Sequence, residues 1–412
     1  MARPYFTKSV GAKFVLIVFF SLILMPLRAS GQTMLYVSPK GSDANPGTAA
    51  SPFQTIGKAA SVVNPGDTVI VETGVYHEAL NLTRGGTANA YVTFMSQTKW
   101  GAVLDGNNNS MAEAVKFTAS YIRFQGFEVR NYGGNSGGAD AFSNYPGGQF
   151  IDIAQNHIHD IGRMCTDTKN GLVGVYLENP NVIVEQNLIN DIGRYASGEN
   201  GCSPSTEYYK NHDHGVYVSS NSNNVTIKNN IFYRVERGWG VHVYPSGVDS
   251  LAILNNTFVW PNPYNTGQII LAASGAVTNL RIENNISYSP NTAFIYVYTS
   301  SGFSGTVANN MIFNGAVSSA TPGGLSFTGN LSNTDPLLVS PGNATLGNSA
   351  MVNANLTNGS PAIKAGRPLG DVTDDNAGTA RPQGSAIDIG AFESHAASSK
   401  PPPPIDLKAT IE

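Results

Sequence analysis

Short apolar runs alternate with polar residues, and one six-residue pattern returns through the middle of the chain. Its copies are Ile153-Ala-Gln-Asn-His-Ile158, Val184-Glu-Gln-Asn-Leu-Ile189, Ile227-Lys-Asn-Asn-Ile-Phe232, Ile253-Leu-Asn-Asn-Thr-Phe258, Ile282-Glu-Asn-Asn-Ile-Ser287 and Val307-Ala-Asn-Asn-Met-Ile312. Phe124-Gln-Gly-Phe-Glu-Val129 is an irregular earlier copy, with Gly126 in place of asparagine. The matched asparagines Asn156, Asn187, Asn230, Asn256, Asn285 and Asn310 lie 31, 43, 26, 29 and 25 residues apart. That spacing suits one turn of a solenoid with loops of varying length. Parallel rungs stack about 4.8 Å apart, so the asparagines are expected to form a ladder at a corner. There asparagine tolerates a left-handed backbone, and its amide bonds to the rungs above and below. These residues are read as scaffold.

A second strand follows each loop: Gly174-Val-Tyr-Leu177, Gly215-Val-Tyr-Val218, Gly240-Val-His-Val243, Gln268-Ile-Ile-Leu271 and Phe294-Ile-Tyr-Val297. With the valines inward, strand alternation places Tyr176, Tyr217, His242, Ile270 and Tyr296 in one outward column. Glu178, Ser219, Tyr244, Ala272 and Tyr298 form the next. The expected fold is all-β, a single-stranded parallel β-helix. Open solenoid ends expose strand edges, and residues 52–63 predict a short amphipathic cap helix, with Pro52 in its first turn and Pro65-Gly66 after it. The expected divisions are a signal peptide over 1–31, the β-helix over 32–394 and an extended Pro-rich tail over 395–412.

The leader assignment rests on Arg3, Lys8 and Lys13 ahead of an apolar run from Phe14 to Met25, followed by the small residues Ala29, Ser30 and Gly31. The run is short for a membrane span, so export without a retained anchor is expected. Removing residues 1–31 takes away four basic residues and no acidic one. The 24 basic residues then become 20 against 28 acidic, a net charge of −8. That excludes nucleic acid as a natural partner. Forty-four glycines and few charged residues suit short strands and turns. Cys165 and Cys202 are the only cysteines, and both lie in loops after similar strands, so a disulfide is expected in an exported chain. Neither has a neighbour at metal-ligand spacing.

Tyr36-Val-Ser-Pro-Lys-Gly-Ser-Asp43, Asn45-Pro-Gly-Thr48, Ser51-Pro-Phe-Gln-Thr-Ile56, Pro65-Gly-Asp-Thr-Val69 and Gly74-Val-Tyr76 resemble the N-terminal signature of secreted bacterial pectate-lyase-like right-handed parallel β-helix proteins. Ser360-Pro-Ala-Ile363, Arg381-Pro-Gln-Gly384 and Ile387-Asp-Ile-Gly-Ala-Phe-Glu393 resemble the C-terminal signature of the same group. The resemblance implies the fold and its right hand. The group includes lyases, uronan C5-epimerases and glycoside hydrolases, and no catalytic residue carries over from any one family.

The densest chemistry lies in Tyr208-Tyr-Lys-Asn-His-Asp-His214 and, one coil later, in Tyr233-Arg-Val-Glu-Arg-Gly-Trp-Gly-Val-His-Val-Tyr244. Elimination at a uronic acid needs a group to neutralise the carboxylate, a base for the C5 proton and an acid at the leaving oxygen. Arg237, Arg234 or Lys210 are candidates for the first and His212, His214 or His242 for the second. Tyr217 or Tyr244 are candidates for the third, with Asp213 orienting a histidine. Tyr176, Glu178 and Trp239 complete the expected sugar-binding strip, although Trp239 has inward parity. His157 and His159 are read as scaffold or surface. Hydrolysis would need paired carboxylates from Asp140, Glu178, Asp213 and Glu236, and no pair stands out. Asp160, Asp167 and Asp191 are spare carboxylates that keep calcium open as a cofactor, although no EF-hand pattern surrounds them. The expected function is a monomeric lyase on a uronic-acid polysaccharide or oligosaccharide. The alternatives are an epimerase, a hydrolase or a non-catalytic glycan binder.

Overall fold

The computed structural model describes residue 1 and residues 32–134, 138–203, 211–235, 237–261, 267–344 and 350–394. The expected leader over 1–31 and the tail over 395–412 therefore lie, but for residue 1, outside the described residues. The described chain is a right-handed parallel β-helix with three sheets, of 12, 10 and 9 strands among the described residues. The first sheet runs from Met34–Val37 to Leu325–Thr328, the second from Gly74–Tyr76 to Leu331–Ser332 and the third from Leu80–Leu82 to Ala316–Ser318. Inward residues from all three meet in one core. Aromatic rings stack there from rung to rung, as in Phe117 on Phe142 at 6.1 Å and Phe232 on Phe258 at 4.5 Å.

The asparagine ladder occupies the corner between the first and second sheets, and its members from Asn156 to Asn310 are fully buried. From Asn187 onward each amide oxygen accepts from the backbone N–H and the amide of the asparagine one rung earlier. Asn187 N donates to Asn230 Oδ1 at 3.0 Å, and Asn230 N donates to Asn256 Oδ1 at 2.9 Å. Each amide nitrogen also reaches back to a strand carbonyl, as Asn230 Nδ2 does to Val184 O at 2.8 Å. The ladder starts at Phe127, whose N–H donates to Asn156, and continues beyond the expected set to Asn330. The left-handed residue is not the ladder asparagine but the one before it: Gly126, Gln155, Gln186, Asn229, Asn255, Asn284, Asn309 and Gly329 all have positive φ. The corner thus needs two adjacent residues, one to turn and one to bond.

The cap helix spans Ile56–Val62, shorter than expected. Pro52 precedes it because the backbone is still extended at Phe53, which bridges Val37. Thr55 caps the first turn, accepting from Lys58 N at 3.0 Å. The Glu78 carboxylate takes the N–H groups of Ile56 and Gly57 at 2.9 and 2.8 Å. Ile56, Ala59 and Ala60 close the end of the core.

At the other end the expectation of coil to residue 394 fails. The last solenoid strand is Leu331–Ser332, and described residues between 333 and 394 reach the first sheet and pack on the outside of the second. The reason is apolar surface: that sheet's outer face carries Leu188, Ile231, Ile286 and Met311, which the strap buries under Ala354, Ala362, Ile389, Ala391 and Phe392. Arg381 anchors the strap, fully enclosed with Glu393 at 2.9 Å and donating to the carbonyls of Asp388 and Gly390. Gly390 is required, because a Cβ there would lie 2.5 Å from Ile286.

Replacing Asn230 by alanine strands the Asn187 N–H in the core and takes one side-chain donor each from the Asn256 amide oxygen and the Val184 carbonyl. A loss of about 3 kcal/mol is expected, measured by urea denaturation.

Candidate functional site

Four register matches carry the third sheet's outer column: Tyr176 pairs with Tyr217, Tyr217 with His242, His242 with Ile270, and Ile270 with Tyr296. Over this face lies an open groove of about 1090 Å³. Tyr176 stacks on Tyr217 at 5.4 Å, and the Tyr217 ring meets His242 edge-on at 4.9 Å. Tyr244 and Tyr298, 46% and 68% exposed, extend the aromatic surface outward. Trp239 is not in the core. The backbone bends at Gly240, so the indole swings to the outer face, where it packs with Ile270, Ala272 and Tyr296 and stacks 5.8 Å from His214. Ile270 is consequently covered, although its strand position points outward.

His214 and His242 form a direct pair, with His214 Nε2 and His242 Nδ1 2.8 Å apart. The backbone N–H of Trp239 donates to His214 Nδ1 at 3.3 Å, and a backbone N–H can only donate. His214 therefore carries its proton on Nε2 and gives it to His242 Nδ1, which leaves the neutral His242 with its own proton on Nε2. Burial holds both rings neutral: His214 is pushed well below the usual imidazole range, and His242 down to about 3. His242 thus serves as a hydrogen-bond donor, and its role as a proton acceptor is withdrawn. Gly238 makes the approach possible, since a Cβ there would lie 2.5 Å from His214 Nδ1.

Asp213 does not orient a histidine. It is fully buried and grips Arg194, with Oδ2 2.8 Å from Nε and Oδ1 2.7 Å from an Nη, and it also accepts the N–H groups of Leu172 and Arg194. The same guanidinium donates to the carbonyls of Thr168 and Asn170 at 2.8 and 3.1 Å, which shapes the groove edge that carries Lys169. The Cys165–Cys202 disulfide ties the start of that loop to the next one.

Of the expected carboxylate binders, Arg237 is fully buried beneath the groove. Arg234 pairs with Asp191 at 3.0 Å and lies over the Tyr233 ring at the second sheet. Neither lines the groove. Lys210 and Glu236 lie outside the described residues. Glu178 accepts from the Tyr176 hydroxyl at 2.6 Å and is also outside the lining. Asp160 and Asp191, considered for calcium, are engaged with His159 and Arg234.

His212 lines the groove, together with Lys169 and Asp140. Lys169 was missed by the sequence reading, and so was Arg194. The signal for Arg194 was available: Asp160-Ile-Gly-Arg163 and Asp191-Ile-Gly-Arg194 are the same motif one coil apart. Among the described lining residues Asp140 is the sole carboxyl group and Lys169 the sole ammonium. Burial, with Glu113 adding repulsion, pushes Asp140 up to about 8, so it holds a proton at neutral pH. Asp140, Lys169 and His212 share one edge of the groove, where Gly138, Gly171 and the His212 backbone stack so closely that a Cβ on either glycine would clash with the carbonyl of the next rung.

Residues 35–200 match the model of the Pel9A-like right-handed β-helix region. The fold is similar to that of pectate lyase Pel9A, with a TM-score of 0.57 and 17% identity over 88% of this chain and 97% of that one. A rhamnogalacturonan lyase (TM-score 0.51, 15% identity, 68% and 74% covered) and a glycoside hydrolase (TM-score 0.51, 11% identity, 73% and 97% covered) share it as well. Uncharacterized protein YwoF of Bacillus subtilis (strain 168) is 33% identical over 134 residues, 31% of this chain and 29% of that protein. The described chain thus shares the right-handed parallel β-helix fold of pectate lyase Pel9A. Among the described residues no helix is long and apolar enough to cross a membrane.

The neutral histidine pair predicts an acid-side weakness. The unfolded chain protonates His242 near 6.5 while the folded chain resists down to about 3, so stability falls as pH drops below 6.5. Between pH 7 and pH 5, His242→Gln is expected to lose about 2 kcal/mol less than the wild type, measured by urea melts at each pH.

Proposed function

We propose that this chain is an exported enzyme that binds a uronic-acid polysaccharide along the third-sheet groove and cleaves it by β-elimination. The observation that carries the reading is the sharing of one edge of an aromatic-lined groove by a cation, an imidazole and a protonated carboxyl group: Lys169, His212 and Asp140. Tyr176, Tyr217, Tyr296 and Trp239 offer faces and edges on which sugar rings stack. Lys169 neutralises the uronate carboxylate, which makes the neighbouring C5–H acidic. His212 removes that proton, the C4–O bond breaks as a C4=C5 double bond forms, and Asp140 gives its proton to the departing oxygen. The Nε2–H of His242 donates to the negative charge that builds on the carboxylate. Similarity of fold to two lyases supports the reading. A retaining or inverting hydrolysis would need a second carboxyl group, and the described lining offers one. The leader pattern over 1–31 supports export.

The test is incubation of the purified protein with pectate, rhamnogalacturonan, alginate and glycosaminoglycans while following the ultraviolet absorbance of the unsaturated uronate. One of them is expected to give signal. Lys169→Ala and His212→Ala should each lower kcat by about 10²-fold or more while oligosaccharide binding persists. Activity should fall above about pH 8 as Asp140 loses its proton. New reducing ends without absorbance would make it a hydrolase, an altered proton NMR spectrum without cleavage a C5-epimerase, and binding without turnover a glycan-binding module.

A further inference from the structure

Away from the groove, on the outer face of the second sheet, the adjacent strands Glu128–Arg130 and His157–His159 bring together three groups with free-standing metal-ligand chemistry. His157 is in register with Glu128, and His159 lies two residues further on the same face. One ligand atom from each of Glu128, His157 and His159 lies within 4.8 Å of the others. The two imidazoles stack at 4.1 Å, and Trp100 walls the far side of His157 at 4.9 Å.

The surrounding hydrogen bonds settle which nitrogens face the middle. Asn190 gives its amide N–H to Asp191 at 2.6 Å, so its oxygen is the atom facing His157. That oxygen lies 2.8 Å from His157 Nε2, and an oxygen of this kind only accepts, so the His157 proton is on Nε2 and Nδ1 keeps its lone pair. Asp160 holds His159 Nδ1 at 2.7 Å, which places the other nitrogen, Nε2, 3.3 Å from Glu128 Oε1. Arg130 steadies the Glu128 carboxylate at 2.7 Å. Each histidine therefore donates one N–H to an oxygen outside the cluster, which leaves Nδ1 of His157 and Nε2 of His159 as the nitrogens available for ligation. Outer partners prepare histidine for metal ligation in this way.

We propose that Glu128, His157 and His159 form a site for a divalent transition metal of the zinc type, clipping two neighbouring rungs on a face of the solenoid separate from the groove. A two-imidazole, one-carboxylate set suits such an ion, whose bonds to nitrogen and oxygen are about 2.0–2.2 Å. Small closure of the three side chains brings them to that length. The ion takes the place of the proton between His159 Nε2 and Glu128. The partial exposure of Glu128 and His159, 19% and 14% of their side chains, leaves an entry path and an open position for water.

The experiment uses the untagged full-length protein, stripped with a chelator and titrated with Zn²⁺ by calorimetry and with Co²⁺ by visible absorption. One ion per chain is expected, with a Co²⁺ ligand-field band. His157→Gln with His159→Gln should abolish both signals. Asp160→Asn, which keeps all three ligands and alters an exposed group, should weaken Zn²⁺ binding about 10- to 100-fold, with circular dichroism confirming the fold. His242→Gln, whose side chain lies on the third sheet, should leave Zn²⁺ binding unchanged. A wild-type protein that binds no ion, or one whose binding survives both the double substitution and Asp160→Asn, overturns the site.

Discussion

The buried asparagine ladder governs everything else in the molecule. Each amide bonds the rung on either side, and its nitrogen also reaches back to a strand carbonyl, so the vertical register is fixed by side chains as well as by the sheets. A one-residue slip in any rung would turn every outward side chain inward. The ladder forbids that slip at the corner where each coil begins its second-sheet strand. Loops of very different length can then leave and return without disturbing the stack. The Tyr176, Tyr217 and His242 column is a consequence of that immobility, since its members come from coils separated by long and dissimilar insertions.

Regular strands were legible in the sequence because their chemistry is periodic. The asparagine register, the outward column and the inward valines follow from a repeat of two and a repeat of one coil. Parity failed where the strands stop. Trp239 sits just before a strand, and the bend at Gly240 reverses its direction. Asp213 and Arg237 flank similar bends, and their side chains turn into the molecule, where Asp213 meets Arg194. A charged residue in a loop is therefore no evidence of a solvent-facing site. The left-handed corner was misplaced by one residue for a related reason: turning and bonding were assigned to a single asparagine, whereas the backbone divides them between two.

The strap over 333–394 was illegible for a different reason. Its residues have no period of their own, and its role is to complement an outer surface that only the folded solenoid creates. Its strongest anchor, Arg381, satisfies carbonyls and a carboxylate within the strap and reaches Asn229 on the coil. A buried ion pair of this kind contributes little net stability but fixes a unique arrangement, because a displaced guanidinium would be left without partners.

The strap also bears on the order in which the molecule becomes complete. In a solenoid each inner coil is covered by the coils above and below it. The outer apolar row of Leu188, Ile231, Ile286 and Met311 is covered instead by residues that lie after the last coil in the chain and so leave the ribosome after it. Until those residues arrive, the nascent protein carries an oily seam along its length. Completion of this fold therefore waits on residues made after the solenoid itself, and a chain stopped short of its strap would present that seam to whatever lies nearby.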